Sequence, residues 1–421
     1  MKEKVIIYAL GKYWKKYNEE IENIYNVIAC SDRNINADQY SFGHKFISPR
    51  EISSFHYDKL IIGCEQRGVR ELIALDYHIP VEKIVYFDEI MRNQRKVASN
   101  VKREHTEKLS IVIPTYNRRE RLKRTLDILE MQSETDFSLI ILDNCSNYDV
   151  NELILIRKQE FQEKVKLIRN KTNIGMAGNL ANSFMQDVNG WLWTLADDDI
   201  PSIYAVEDIY NEIDQMKDIG IINFCIHDLS KNMQDGYKEF VSLQELLHFY
   251  DQIILDRKCR NMLQGDFIYF SNKVYNVKYI RKYFEKIVFY TYSCIPQLIP
   301  LVFMLNEKAA SVCISNKKIV SYDNPEGDHW DVIKIASGMR IITDFMLNLN
   351  ESERSILYSL IMVDYNVLLN AVEGQNVCYN VSQIKKIYNE VYQCFLNDDE
   401  KQNYFLRIKE IELKYGLSFS L

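Results

Sequence analysis

The stretch GWLWTLADDDIP, residues 190–201, decides the fold of this chain, because a buried-type strand ends there in three carboxylates. Its aromatic and apolar residues predict the strand, and Asp197, Asp198 and Asp199 follow it. Crowded carboxylates repel one another, so a strand that ends this way needs a counter-charge. Mg²⁺ or Mn²⁺ suits this role, because Mg²⁺ usually binds one or two carboxylates plus substrate phosphates. The alternative is a solvated acidic turn.

Two earlier strands also end in polar residues. LSIVI stops at Pro114 and is followed by Thr115, Tyr116 and Asn117, and FSLIILD ends in Asp143, with Asn144 next. Between these strands and the acidic stretch lies NKTNIGMAGNL, residues 170–180, whose glycines let backbone approach a ligand and whose second half predicts a helix. Ligands of open α/β sheets bind at the carboxyl ends of the strands. Any one of these clusters is also consistent with an ordinary polar turn. Three clusters at one edge of the sheet, with a Gly/Asn loop between them, predict a site for a nucleoside diphosphate.

The order SIVIPTYNR, LDNCSN, NIGMAGN and ADDD resembles the nucleotide-sugar half of family 2 glycosyltransferases, which share the GT-A fold. The resemblance covers roughly residues 108–215 and continues weakly through QGDFIYFSNKVYN, which is similar to the abequosyltransferase-like subgroup. It implies that Tyr116 lies against the nucleobase and that Asn144 binds the edge of the base. It also implies that Asp197 contacts the ribose or the metal and that Asp199 is the main metal ligand.

The remaining residues expected around the donor are Pro114, Thr115, Asn117, Arg118, Asp143, Asn173, Gly175, Asn179 and Asp198. Many relatives carry Asp where this chain has Asn144, and an amide can both donate and accept a hydrogen bond. Relatives often carry Arg where this chain has Gly178. The cation for the diphosphate is then expected elsewhere, and the candidates are Arg118, Arg169 and Lys171.

The chemistry of a sugar nucleotide follows from its leaving group. A metal neutralises the charge that develops on the departing diphosphate, and the sugar passes through an oxocarbenium-like state. If configuration inverts, a general base must deprotonate the acceptor hydroxyl. Asp266 is the first choice for this base, because it opens an apolar stretch that would raise its pKa. The alternatives are Asp228 and Glu285 as the base, and a capping role for Asp266.

Two other functions compete with the transferase. A sugar nucleotidyltransferase uses a similar sheet, but it needs a Gly-rich basic loop after the first strand, and PTYNRRER (residues 114–121) contains no glycine. A catalytically silent glycan-binding scaffold has no need of clustered carboxylates. We therefore expect a metal-dependent, inverting transferase that uses Mn²⁺ or Mg²⁺ and a nucleoside-diphosphate sugar. Its acceptor would be a saccharide or a lipid-linked saccharide in bacterial surface-glycan assembly.

The expected fold class is α/β, with an N-terminal Rossmann-like domain (1–92), a basic linker (93–108), a central GT-A domain (109–335) and a C-terminal helical region (336–421). Strands alternate with helices in the first domain, which predicts a parallel sheet. Gly11 stands alone where the dinucleotide fingerprint has three glycines. Asp32 lies where a ribose-binding acid would be expected, but an Asp at the end of a strand is more often a turn or helix cap. A structural or docking role is therefore favoured for this domain over nucleotide binding.

Composition narrows the partners and the compartment. The net charge of −7 argues against nucleic acid as a partner. The nine cysteines form no C-x-x-C pair, and there is no signal-peptide pattern or membrane-length apolar run, so a cytoplasmic protein is expected. The basic, aromatic stretch 277–292 predicts either an ordinary amphipathic helix or contact with the inner face of the membrane. A third metal ligand at His329 and a homo-oligomer are further open alternatives.

Overall fold

The computed structural model describes residues 2–64, 68–87, 89–90, 105–227, 229, 233, 236–321, 332–372 and 377–417. The chain divides into two compact units. The first contains residues 1–105 with the short segments 200–203 and 320–323, and the second contains the rest. Helices and strands are numbered below in chain order across both units.

The first unit is built on a parallel five-stranded sheet in the order β3-β2-β1-β4-β5, which confirms the predicted Rossmann-like arrangement. Apolar runs such as VIIY and LII are fully buried, as expected for strands that helices cover on both faces. A short antiparallel pair, β10 and β15, also belongs to this unit. The elements are β1 (Lys4–Tyr8), α1 (Lys12–Ile24), β2 (Asn26–Ser31), β3 (Phe46–Ile47), β4 (Lys59–Ile62), α2 (Val69–Tyr77), β5 (Ile84–Tyr86), β10 (Ile200–Pro201) and β15 (Val320–Ser321).

The second unit is built on a mixed eight-stranded sheet in the order β12-β14-β11-β13-β9-β6-β7-β8. Its strands are β6 (Leu109–Thr115), β7 (Ser138–Asp143), β8 (Val165–Arg169), β9 (Trp191–Thr194), β11 (Ile219–Phe224), β12 (Tyr237–Phe240), β13 (Lys273–Asn276) and β14 (Ser311–Ser315). The helices up to β14 are α3 (Arg119–Glu130), α4 (Asn151–Leu155), α5 (Gln159–Gln162), α6 (Met176–Phe184), α7 (Ala205–Gln215), α8 (Leu243–Ile253), α9 (Arg257–Ile268), α10 (Val277–Ile280), α11 (Phe284–Phe289) and α12 (Ile299–Asn306).

Strand direction in this sheet brings several carboxyl ends to one edge. Strands β6, β7, β8 and β9 are mutually parallel. Strand β13 runs antiparallel both to β9 and to β11, so β11 runs in the same direction as β9. The chain segments that follow β6, β7, β9 and β11 therefore all leave the sheet at the same edge, as the sequence predicts for the first three.

The C-terminal region is helical, as expected, and its residues share one hydrophobic core with the central sheet. Its helices are α13 (Val332–Met339), α14 (Glu351–Ile361), α15 (Tyr365–Asn370), α16 (Val377–Glu390) and α17 (Asp398–Lys414). The region is not helical throughout. Residues 340–344 form a short 3₁₀ turn, and residues 345–350 are neither helix nor strand. The helical pattern is also interrupted after Ile361, because Asp364 caps a new helix by accepting from the Asn366 amide.

The domain boundaries at residues 92, 108 and 335 remain predictions. Most of the proposed linker, residues 91–104, lies outside the described residues. Within the described part of the chain, no helix has the length and apolar character needed to cross a bilayer.

Candidate functional site

The three aspartates lie at the carboxyl edge of the central sheet, directly after β9. All are buried, with 3%, 7% and 2% of Asp197, Asp198 and Asp199 exposed. Helix α3 holds their backbone, because the Thr125 hydroxyl lies 3.0 Å from the carbonyl oxygen of Asp197 and 3.1 Å from that of Asp199. This burial excludes the solvated acidic turn that the sequence left open.

Two of the three carboxylates have cationic partners. Asp197 accepts from the Thr115 hydroxyl at 2.7 Å and from Arg118 Nη1 at 3.0 Å. Asp198 accepts from Arg118 Nη1 at 3.0 Å and from Arg121 Nη1 at 3.2 Å. Arg118, expected as a partner of the diphosphate, is thus held by the acids at this edge. Burial raises the pKa of Asp197 to about 6, although the Arg118 guanidinium opposes this rise.

Asp199 differs from its two neighbours, because its partners are neutral. The hydroxyl of Tyr269 donates to Oδ1, and the hydroxyl of Ser271 donates to Oδ2 at 2.5 Å. No ion pair of Asp199 is found among the residues that the structure describes. Burial, and then the charge of Asp198, raise the pKa of Asp199 to about 7. A bound cation would balance the negative charge of Asp199, because its hydrogen-bond partners are neutral hydroxyls.

The edge therefore suits a hard divalent cation. Asp199 would be the main protein ligand and Asp197 would assist, since each carboxylate oxygen keeps lone-pair capacity beyond the hydrogen bond it accepts. No group of three or more His, Cys, Asp or Glu residues forms a self-sufficient metal cage within the described ranges. Mg²⁺ is usually bound by one or two protein carboxylates, and substrate phosphates supply further ligands. The predicted metal ligands are thus brought together, and their role stays a prediction.

Tyr116 follows β6 at the same edge, with 41% of its surface exposed. The backbone turns directly after it, because Asn117 adopts a left-handed conformation with φ +55°. The Asn117 amide donates to Ser146 Oγ at 3.0 Å, and Asn117 Oδ1 accepts from the Asn147 amide at 2.8 Å. These bonds fix the turn. Pro114 and Thr115 lie inside β6, whereas Tyr116 lies beyond the strand and is exposed. Its ring is therefore the part of this segment that a nucleobase could stack on.

Asn144 is buried and supports the glycine-containing loop. Its amide nitrogen donates to Asn173 Oδ1 at 2.8 Å and to the Gly175 carbonyl at 3.2 Å. Its amide oxygen accepts from Asn170 Nδ2 and from the Ile174 amide, both at 3.0 Å. These four bonds use both donors and both acceptor positions of the side chain. The expected contact with the edge of a base would require one of them to break.

The loop itself leads into α6 at Gly175, whose φ of +79° favours glycine. Space is open where a Cβ would stand at this position, so the backbone is accessible to a ligand. Asn179, in contrast, is buried, and it donates to the Leu142 carbonyl at 3.0 Å. It therefore ties α6 to β7, while its predicted contact with the donor stays a prediction.

Asp143 and Arg169 form a buried-to-surface ion pair at 2.6 Å. Asp143 also accepts from the Ser146 amide at 2.8 Å. Arg169 is therefore held by β7 and its turn, which leaves Lys171, exposed on the loop, as the third candidate cation. Asp143, the last residue of β7, is thus neutralised by Arg169, whereas Asp199, beyond β9, has no cationic partner in the part of the chain that the structure describes.

The residues considered for the general base lie in different settings. Asp266 is completely buried in α9, and its carboxylate accepts from the backbone amides of Ile226 and His227 and from the His227 ring. Glu285 is exposed on α11. Asp228 and His329 lie outside the described residues. The base role of Asp266 stays a prediction, although its carboxylate has no exposed surface from which to meet an acceptor.

Sequence reasoning missed three groups at this edge, which are Arg121, Tyr269 and Ser271. The last two lie in the stretch QGDFIYFSNKVYN, where two hydroxyl residues two positions apart precede a strand. Residues 270 and 271 lie in a bend and a turn, so this spacing alone gave no signal that both hydroxyls reach Asp199. Ser271 also accepts from the Ala196 amide at 2.8 Å, so it links β13 to the acidic turn.

The first unit has a crevice of about 440 Å³ where its strand order reverses at β1. Its lining includes Leu10, Gly11 and Asp32. Asp32 accepts from the Leu10 amide at 2.8 Å and the Asn34 amide at 2.9 Å, so both carboxylate oxygens are occupied by backbone. Gly11 is required for packing, because a Cβ there would lie 2.7 Å from Cys64 Cβ. These contacts favour the structural reading of both residues.

Comparisons with known proteins give separate family matches for the N-terminal and central parts of the chain. The Glycosyl transferase family 2 model matches residues 110–286, and the C2185-like, N-terminal model matches residues 1–85. An uncharacterized glycosyltransferase of Haemophilus influenzae is 32% identical over 114 residues, covering 27% of this chain and 37% of that protein. The poly(ribitol-phosphate) beta-N-acetylglucosaminyltransferase TarP of Staphylococcus aureus is 33% identical over 107 residues, covering 25% and 32%.

The abequosyltransferase RfbV of Salmonella typhimurium is 26% identical over 113 residues, covering 26% of this chain and 34% of that protein. The chain thus spans about a third of the length of the curated relatives it matches. The similarity supports the family of the central segment, and the abequosyltransferase-like resemblance is supported as a distant one.

Proposed function

We propose that this protein, whose central segment is a family 2 glycosyltransferase domain, transfers a sugar from a nucleoside-diphosphate donor to a saccharide acceptor. The observation that carries the proposal is Asp199, a buried acid without a cationic partner among the described residues, at the edge where β6, β7 and β9 end. Folding alone does not stabilise such a charge. A metal–diphosphate complex supplies the missing counter-charge.

The donor would be held between two groups of residues. Tyr116 offers an exposed ring to the nucleobase, and the open backbone at Gly175 offers a place for close approach. Asp199, assisted by Asp197, would hold Mn²⁺ or Mg²⁺. When bound, the cation supplies positive charge to the diphosphate leaving group. Tyr269 and Ser271 orient Asp199, and Arg118 and Arg121 keep the neighbouring acids in place.

The acceptor class rests on the relatives. TarP is named for transfer to poly(ribitol-phosphate), and RfbV is named for transfer of abequose. We extend this to a saccharide or lipid-linked saccharide acceptor in bacterial surface-glycan assembly, with inversion of configuration. The cytoplasm, where nucleotide sugars are available, is the compartment that this proposal requires.

Contact with the inner face of the membrane would bring the enzyme to a lipid-linked acceptor. Val288, Phe289 and Tyr292 are 56%, 66% and 54% exposed, and Lys282 and Lys286 lie on the same segment. Exposed rings beside cations suit an anionic bilayer surface. Flotation with phosphatidylglycerol vesicles tests this: Phe289→Ser should release the protein, and binding that is unchanged in this variant would count against the contact.

The proposal is tested with a panel of UDP-, CDP-, GDP- and dTDP-sugars, with and without Mn²⁺. At least one nucleotide should raise the melting temperature only when Mn²⁺ is present, because a ligand that binds the folded state stabilises it. The same donor should then release its nucleoside diphosphate in the presence of a panel of alkyl glycosides. Asp251→Asn, an exposed position on α8, serves as the control variant and should behave like the wild type.

The competing functions give different results in the same assays. A sugar nucleotidyltransferase would consume a nucleoside triphosphate and a sugar 1-phosphate and would release pyrophosphate. A silent glycan-binding scaffold would bind glycosides and show no donor turnover with any cation. Either result would replace the transferase proposal.

A further inference from the structure

A histidine–aspartate pair, His227 and Asp266, lies at the carboxyl edge of the central sheet. His227 Nδ1 is 2.9 Å from Asp266 Oδ2. Asp266 is fully buried, while the side chain of His227 is 38% exposed. The other oxygen of Asp266 accepts from the backbone amides of Ile226 and His227, the latter at 3.1 Å. Three hydrogen bonds therefore fix the carboxylate, and its partner reaches the surface.

The pair lies at the same sheet edge as the acidic turn. Ile222 of β11, Val274 of β13 and Trp193 of β9 form one row across the sheet. His227 follows that row by five residues along β11 and Asp199 by six along β9, in the same direction. The two strands that precede them are two strand spacings apart, about 10 Å. Both segments therefore leave the sheet at nearby positions of the same edge.

Helix α9 connects the His227–Asp266 pair to the acidic turn through hydrogen bonds at its C-terminal end. Asp266 lies near its C-terminal end, and Tyr269, the residue that caps this end, donates its hydroxyl to Asp199. The ammonium of Lys273 donates to the carbonyl oxygens of Asp266 and Tyr269, at 3.3 and 2.8 Å. The His227 ring also packs on the helix, because a Cβ at Gly265 would lie 3.7 Å from its Cε1. The helix therefore fixes His227 relative to Asp199.

The hydrogen-bond chemistry sets the tautomer. An ionised carboxylate can only accept, so Asp266 requires a proton on His227 Nδ1. The lone pair of a neutral ring is then on Nε2, the atom that points away from the buried acid. A histidine held in this way by a buried aspartate is the arrangement that general-base catalysis uses elsewhere.

We propose that His227 is the general base for the acceptor and that Asp266 is its positioning residue. This inference rests on the proposed function. Nε2 of His227 takes the proton of the acceptor hydroxyl as the acceptor oxygen bonds to the anomeric carbon. The bond from that carbon to the diphosphate oxygen breaks, and its electron pair leaves with the nucleoside diphosphate. This assigns the predicted base function of Asp266 to the exposed residue that it orients.

The first test compares His227→Gln with His248→Gln in the full-length protein. His248 is a matched control, because it is an exposed histidine whose Nε2 lies 3.7 Å from the Glu353 carboxylate. The donor from the nucleotide-sugar panel is used with an alkyl glycoside, or with water, as acceptor. His227→Gln should lower kcat about 100-fold or more, with the KM for donor unchanged, since only a proton-transfer group is lost. Full activity in His227→Gln would overturn the proposal.

A second measurement separates the base from a merely structural histidine. Imidazole added to His227→Ala should restore part of kcat, and it should not affect His248→Ala. Failure of rescue in a variant that still binds UDP and Mn²⁺ would contradict the base role. Loss of UDP–Mn²⁺ binding by the wild type itself would contradict the proposed function instead.

The positioning role of Asp266 has its own signature. Long-range ¹H–¹⁵N spectra of the wild type, with His227 assigned by its loss in His227→Gln, should show the Nδ1–H tautomer. Asp266→Asn, a close isostere, should shift this ring toward the Nε2–H tautomer and lower kcat, with UDP–Mn²⁺ affinity retained. A wild-type ring already in the Nε2–H form would refute the geometry on which the inference stands.

Discussion

Each of the two sheets of this chain has an aspartate in the segment that follows a buried strand, and the two acids have opposite surroundings. Asp32 follows β2 of the first unit, and both of its oxygens accept backbone amides. Asp199 follows β9 of the second, and both of its oxygens accept side-chain hydroxyls from residues about 70 positions away. The first arrangement builds a turn. In the second arrangement, hydroxyl groups from two distant residues bind the acid, and they do not stabilise a turn.

The glycines at the two edges differ in the same way. Gly11 has an ordinary negative φ of −87°, and a side chain there would collide with Cys64. Gly175 has φ +79° and open space around it. The first glycine is required by packing, and the second by backbone conformation at a surface open to a ligand. A strand-end acid and a glycine therefore indicate a site only when their surroundings leave them unused by the fold.

The largest effect is expected for Asp199→Asn. Loss of an outer-shell partner of a metal ligand costs roughly 10–100-fold, so loss of the main ligand should exceed this in kcat/KM. The fold should persist, because the amide can still accept from Tyr269 or Ser271. Steady-state kinetics with the active donor, compared with Asp251→Asn, measures the change. Activity within a few-fold of the wild type would mean that the acidic turn is structural like the turn at Asp32.

The next effect concerns the nucleobase. Tyr116→Ala should weaken donor binding by about 1–3 kcal/mol if the ring stacks on the base. Tyr237→Ala is the matched control, because Tyr237 is 43% exposed and Tyr116 is 41% exposed. Calorimetric titration with the nucleoside diphosphate and Mn²⁺ gives both affinities. Equal affinities in the two variants would show that Tyr116 does not touch the base.

A smaller effect is expected on stability as pH changes. In the metal-free protein, burial raises the pKa of Asp197 to about 6 and that of Asp199 to about 7, from an ordinary 3.8. Between these values the folded state holds more protons than the unfolded state. The free energy of unfolding should therefore fall as pH rises from about 4 to about 7. Asp199→Asn should flatten part of this decline in urea titrations with EDTA, and an unchanged slope would contradict the account.

The smallest effect on turnover is expected for Asp32→Asn. The variant loses charge-assisted bonds to two amides, so unfolding should become easier by about 1–3 kcal/mol. Turnover at a temperature where the protein remains folded should equal that of the wild type. A folded Asp32→Asn protein with lost activity would show that the crevice of the first unit takes part in the reaction.

The shared direction of β6, β7 and β9 could be predicted, because each of their apolar runs ends in a polar cluster. The strands β11 and β14 were not identified, since GIINF and SVCIS are short apolar runs that periodicity cannot distinguish from buried helix. The interruption of the C-terminal helices before Asp364 could not be predicted for a different reason. The side chain of Asp364 caps α15 and pairs with Arg257, and this long-range contact is not visible in local sequence.

For the site, the sequence was sufficient to identify the acids but not their partners. Asp197 and Asp199 stand out as carboxylates after a strand, whereas Asn144, Asn173 and Asn179 resemble ligand-binding amides until their hydrogen bonds to the loop, α6 and β7 are known. Tyr269 and Ser271 reach Asp199 across some 70 residues of chain. No spacing rule predicts such a contact before the antiparallel pairing of β13 with β9 is known.

The most direct test of the central claim is a titration of UDP, or of the diphosphate selected by the panel, into wild type and Asp199→Asn with and without Mn²⁺. If Asp199 is the main metal ligand, Mn²⁺ should strengthen nucleotide binding by the wild type and should have no effect on binding by Asp199→Asn, while both proteins keep the same circular-dichroism spectrum. Equal strengthening by Mn²⁺ in both proteins would place the metal elsewhere and would contradict the assignment of Asp199.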